Sequence, residues 1–111
     1  MGASRVAIGA AARALENQCY VATLPTSCRA PWSVAVDVNR GAARVVCPPD
    51  VGFAETGLLA VGEMDAAQWV FADLDPDLVE RARTDGDVLI FSDRARPGGT
   101  APQAELIDLT A

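Results

Sequence analysis

The stretch "ARALENQCYV", Ala12–Val21, passes from an alanine-rich run into a β-branched and aromatic one within a few residues. Upstream of the change, Ile8, Ala11, Ala12 and Leu15 recur at i, i+3, i+4 and i+7, the spacing of one helix face. Ser4 stands where an N-cap would serve. This pattern predicts a helix over 5–17. Downstream, Tyr20 and Val21 favour a strand, and Pro25 ends it, so the second element is a strand over 19–24. A helix that turns directly into a strand sets the class as α/β.

The rest of the chain extends that pattern. "PTSCRAP" reads as a loop. Ser33–Val38 and Ala42–Cys47 flank "NRG", and Asn39 and Gly41 tolerate positive φ, so a hairpin with a short turn is expected there. "CPPDVGFAETG" is a long irregular connection, and Leu58–Val61 a short strand. Trp69–Leu74 reads as a buried central strand, with Trp69 in the core. In "DLDPDLVERARTDG", Asp75 is placed to cap a helix, Pro76 suits its first position and Asp77 complements its dipole. Gly86 supplies the stop, and Leu78, Val79 and Ala82 give the helix an apolar side. Val88–Phe91 reads as a last strand. From about Arg94 the sequence is a tail, with Leu106, Ile107 and Leu109 as a docking segment. The expected organisation is one sheet with too few helices to cover it. Such an uncovered face implies a missing partner layer.

Composition narrows the chemistry. The 111 residues suffice for one small domain, and half of them are hydrophobic. The net charge of −6 argues against a nucleic-acid partner. No apolar run approaches a membrane span. All nine basic residues are Arg; the chain has neither Lys nor His. That removes Ser-His-Asp and Cys-His arrangements, Schiff-base lysines and histidine metal ligands. Three cysteines at irregular spacing fit a reducing, cytoplasmic setting better than a disulfide framework.

The individual candidates weigh mostly towards structure. Cys19 follows a helix C-terminus, where the dipole disfavours a thiolate, and reads as packing. Cys28, beside Arg29 in a polar loop, is the better thiol candidate, but accessible rather than catalytic. Cys47 ends a strand and reads as packing. Glu16 divides between a surface ion pair with Arg13 and a tie to a neighbouring loop; Asn17 shares that tie or caps the helix. Asp73, Asp75 and Asp77 resemble a metal site, but a strand-to-helix corner spreads them, and capping accounts for two of them. No metal and no cofactor is expected.

"ARALENQCYV" resembles the ARAxENxxYV segment of the nitrilase, or carbon–nitrogen hydrolase, superfamily. The likeness continues in order through "PTSCRAPWSVAVDVNRGAARV", "PPDVGFAETGLLAVGE" and "WVFADLDPDLVERARTDGDV". It spans Arg5 to Arg94 and corresponds to the C-terminal third of such an enzyme. The resemblance implies a domain portion over 5–94 with a tail over 95–111, forming part of an αββα sandwich that pairs across a dimer interface. It also implies hydrolysis of amides, nitriles or carbamoyl compounds by a Cys nucleophile, a Glu base and a Lys that supports the oxyanion. None of that triad maps onto this chain. Cys19 falls at a variable motif position, whereas Glu16, Asn17 and Tyr20 match the motif as structural residues. Thr26 and Trp32 lie on the loop implied to line the substrate pocket.

The expectation is therefore a truncated carbon–nitrogen hydrolase-like chain, inactive alone. It would act on a small amide or nitrile only when completed by a missing N-terminal part, as a homo-oligomer or with a partner chain. The alternative is a non-catalytic dimerisation or interaction module, or a gene remnant.

Overall fold

The computed structural model describes residues 2–95. Its elements are α1 (Gly2–Asn17), β1 (Val21–Thr23), β2 (Cys28–Arg29), β3 (Val38–Asn39), β4 (Arg44–Val46), β5 (Leu58–Val61), α2 (Pro76–Asp85) and α3 (Ile90–Asp93). This is a mixed α/β arrangement with antiparallel sheets and a few helices. Two sheets form where one was expected. The larger has the order β1-β4-β5, and the smaller pairs β2 with β3.

The helix α1 begins at Gly2, so Ser4 lies inside it rather than at its cap. Its buried side is also different from the expected one. Ala10 and Ala14 are buried and Ala3 and Ala7 half-buried, while Ile8 is 71% exposed and Leu15 faces solvent. Only methyl-sized side chains allow α1 to sit closely on β1 and β4, where Ala10 and Ala14 meet Val46 and Val21. Packing distance, not hydrophobicity alone, selects the face.

The helix closes with a Schellman motif. Gln18 takes a positive φ of 45°. Its N–H donates to the Leu15 carbonyl at 3.4 Å, and that of Cys19 to the Ala14 carbonyl at 3.2 Å. Asn17 is thus the C-cap, and β1 starts four residues beyond it.

The hairpin expected around "NRG" does not form. β3 turns back onto β2, with Cys28 opposite Asn39 and Arg29 opposite Val38. β4 instead joins β1, with Val21 opposite Val46, and β5, with Arg44 opposite Val61. The reason lies in Gly41 and Asp65. Gly41 packs against the Pro25 ring so closely that a Cβ there would strike it. Its N–H donates to the Asp65 carboxylate, and its carbonyl accepts from the Asp65 N–H at 2.8 Å. These contacts hold residues 40–41 against other loops, so they cannot form a local turn.

α2 follows the sequence reading closely. Asp75 caps it, its carboxylate accepting from the Asp77 N–H at 2.9 Å, and Pro76 opens the first turn. Such a cap contributes about 1 kcal/mol. Ala82 is buried, and Leu78 and Val79 are half-buried.

Two other readings change. Val88–Phe91 is not a strand; α3 starts at Ile90. Trp69–Leu74 adopts no regular secondary structure, and Trp69 is 87% exposed rather than in the core. Its apolar character matches a buried central strand, but no strand pairs with it among the described residues. The expected docking segment at Leu106, Ile107 and Leu109 lies outside the described residues.

The core is correspondingly thin. Its buried hydrophobic residues are small, apart from Val46, and the largest fully buried side chains are Pro48 and Cys47. The large apolar side chains lie on the outside, among them Leu24, Trp32, Val34 and Phe71. Covering one such side chain is worth about 2–3 kcal/mol. The described fold leaves much of that stabilisation unrealised.

Candidate functional site

Three loops meet at Asp65. Its carboxylate accepts from Arg40 Nε at 2.6 Å, from the Gly41 N–H at 2.9 Å and from Ser27 Oγ at 2.9 Å. Asp65 itself has a φ of 61°, which turns its backbone N–H towards the Gly41 carbonyl. Beside this knot, Cys28, Arg29, Val38, Asn39, Arg40 and Asp65 line an open cavity of about 460 Å³. The guanidinium of Arg40, together with the Gly41 and Ser27 donors, holds the Asp65 carboxyl below the usual carboxylate range.

That shift fixes a pH dependence. A carboxyl whose folded pKa is depressed contributes stability above its unfolded value, and loses it as pH falls through the folded one. The Asp65 contribution is therefore complete at neutral pH and disappears in acid, below the ordinary aspartate value of 3.8. Asp65→Asn should lower the urea midpoint at pH 7 and have progressively less effect as acid protonates the native carboxyl. An equal loss at both ends of an acid-to-neutral series would disprove the assignment.

Cys28 is exposed, and its Sγ lies 3.9 Å from Asn39 Nδ2, a weak donor contact. Cys19 is half-buried, with its Sγ 4.0 Å from the Arg13 carbonyl. Cys47 is 1% exposed, and burial pushes its thiol pKa up. No carboxylate is hydrogen-bonded to any of the three among the described residues, so none has the adjacent base that activates a thiol. With a disulfide-exchange reagent at neutral pH, Cys28 should react first and Cys47 only on unfolding. Rapid labelling of Cys47 in the native chain would contradict its burial.

Glu16 and Asn17 end α1 and Tyr20 lies just beyond it, each with its own partners. Glu16 makes the surface ion pair with Arg13 at 2.8 Å, both side chains more than half exposed. Such a pair contributes at most about 1 kcal/mol. Asn17 Nδ2 donates to the Arg13 carbonyl, and its own carbonyl accepts from Arg83 Nη2 at 3.3 Å, tying α1 to α2. The Tyr20 hydroxyl donates to the Asp75 carbonyl and accepts from the Asp75 N–H, and its ring packs edge-on against Phe53. Tyr20 thus anchors the start of α2. Thr26 and Trp32 are both exposed, Trp32 at 80%. Asp75 caps α2 and bonds Arg81 at 3.5 Å. No group of His, Cys, Asp and Glu residues that could hold a metal is present among the described residues.

One residue that sequence reasoning passed over is Gln18, at a variable position of the motif. It is 2% exposed. Its Nε2 donates to the Ala82 and Val88 carbonyls, each at 2.9 Å, and its Oε1 accepts from the Phe91 N–H at 3.1 Å. A polar residue directly after a helix C-cap gives no signal of such long-range bonds.

The chain is 30% identical over 95 residues to "Probable hydrolase YhcX" of Bacillus subtilis (strain 168). The aligned stretch takes in 86% of this chain, which spans only 18% of the relative's length. No family model matches the chain, and no solved structure matches it. Among the described residues no helix is long and apolar enough to cross a membrane.

Proposed function

We propose that this chain is one portion of a carbon–nitrogen hydrolase-like αββα fold, and that hydrolysis of a small amide or nitrile depends on residues outside its sequence. The observation that carries this reading is the combination of a thin core with a match to 18% of a probable hydrolase. The large apolar side chains that would close a core are present but uncovered.

The chemistry assigns the roles. A glutamate takes the thiol proton, the thiolate attacks the carbonyl or nitrile carbon, and a lysine supports the negative charge on the tetrahedral intermediate. From an amide the nitrogen leaves as ammonia, taking the proton held by the glutamate; from a nitrile the thiolate gives a thioimidate, which adds water before losing ammonia; in both cases a further water then hydrolyses the thioester. This sequence has no lysine, and its thiols have no hydrogen-bonded base among the described residues. Its own contribution is structural, with Thr26 and Trp32 bordering the substrate. Tyr20 and Asp75 hold the start of α2 in place.

The test is ammonia release from simple aliphatic amides and nitriles. The purified chain should release none. Mixed with the Bacillus subtilis relative from which the matching segment has been deleted, it should restore release. Release by the chain alone would overturn the proposal, as would a mixture that assembles and stays inactive.

A further inference from the structure

The open cavity beside Asp65 carries positive charge that its own lining does not neutralise. Arg29 and Arg40 both line it, and Asp65 is its one carboxylate. Arg29 is exposed and makes no side-chain hydrogen bond and no ion pair among the described residues. Arg40 reaches Asp65 through Nε, and its two Nη groups make no hydrogen bond among the described residues. The Asp65 carboxylate is already shared among Arg40, the Gly41 N–H and Ser27 Oγ. Asp37, next to Val38 in sequence, pairs with neither arginine. The lining groups therefore keep a single net positive charge, on a chain whose net charge is −6.

That charge and the rest of the lining select the ligand. A guanidinium presents paired N–H donors that fit the two oxygens of a carboxylate, and such charge-assisted bonds are the stronger kind. One carboxylate balances the lining charge, whereas a phosphate dianion would leave a negative excess. Val38, half exposed on the same wall, offers apolar contact for a short alkyl body, and Cys28 adds an uncharged thiol. We infer that this cavity is a binding site for a small aliphatic monocarboxylate, held by Arg29 with Arg40 as the second donor. The site does not rest on the hydrolase reading, and its test involves no hydrolysis.

The experiment uses Cys28 as a reporter in the full chain. Iodoacetate and iodoacetamide alkylate a thiolate by the same displacement of iodide, and only the first carries a carboxylate. Cys19, half-buried and outside the cavity, supplies a reference in the same molecule. The ratio of iodoacetate to iodoacetamide rates at Cys28, read by peptide mass spectrometry, should exceed that at Cys19 by about tenfold. A cation that only made the thiol more reactive would speed both reagents alike and leave the ratio unchanged. Arg29→Gln should bring the Cys28 ratio down to that of Cys19. Propionate should protect Cys28 from iodoacetamide to saturation, and equimolar propionamide or chloride should not. An equal ratio at the two thiols overturns the inference, as does a raised ratio that Arg29→Gln leaves in place. A raised ratio without saturable protection by propionate is charge steering alone and overturns it too. Stronger protection by inorganic phosphate than by propionate rejects the ligand class.

Discussion

Gln18→Ala should destabilise the chain by about 3 kcal/mol and release α3. The residue sits 2% exposed, where it satisfies the Ala82 and Val88 carbonyls and the Phe91 N–H. Alanine leaves all three without that partner, at about 1–3 kcal/mol for each that stays buried. Alanine also keeps the positive φ of 45°, which costs any residue with a Cβ about 1 kcal/mol or more. Gln18→Gly removes that strain and should fall between the wild type and alanine. Gln18→Glu should be the worst of the three at neutral pH, because a carboxylate cannot donate and would face two carbonyl oxygens. The informative readout is exchange at the Phe91 amide, since about 1.4 kcal/mol corresponds to a tenfold change in rate. An acceleration near a hundredfold is expected for alanine. If Phe91 exchanges as in the wild type, the bridge does not hold α3.

The Gln18 bridge marks the limit of sequence legibility. Local signals carried the elements they specify locally. Asp75 and Pro76 specify the start of α2, and the apolar run at residues 58–61 specifies the strand β5. Signals that depend on partners failed. "QWVFADL" has the composition of a central strand, but composition cannot say whether a neighbour is present, and Trp69 is exposed. The apolar spacing of Ile8, Ala11, Ala12 and Leu15 was sound as a helix signal, yet the sheet takes the alanine face instead. "NRG" had turn chemistry, but bonds from Asp65, far along the chain, claim Arg40 and Gly41. The candidate site follows the same division. Glu16, Asn17 and Tyr20 could be singled out by motif, and Arg13 lies close to Glu16 in sequence, but Arg83 and Asp75, the partners of Asn17 and Tyr20, are distant. Gln18 and Asp65 stand in no pattern, because each acts through side-chain bonds to residues remote in the chain.

Gly86 was legible as a helix stop, but for a different physical reason, and that difference yields the second large effect. Its φ of −71° is open to any residue, so no left-handed conformation is required. What it lacks is space. A Cβ at Gly86 would strike the Ala82 carbonyl and approach both oxygens of the Asp50 carboxylate, at 2.8 and 2.9 Å. That carboxylate is itself engaged, accepting from the Val51 N–H at 2.7 Å and the Asp87 N–H at 3.0 Å. Gly86→Ala must therefore shift the end of α2 or expel Asp50, and a loss of about 2–3 kcal/mol is expected in a urea titration. Gly9→Ala is the matched control. It lies inside α1, where an added Cβ meets nothing within 4 Å, and should gain about 1 kcal/mol from helix propensity. Asp50→Ala separates the two sources of strain. Alone it loses the Val51 and Asp87 bonds. In the Gly86→Ala background it should cost much less, since the methyl group has already displaced the carboxylate. Strict additivity of the two would mean that the Ala82 carbonyl carries the whole clash. A Gly86→Ala chain as stable as the wild type would remove the steric account altogether.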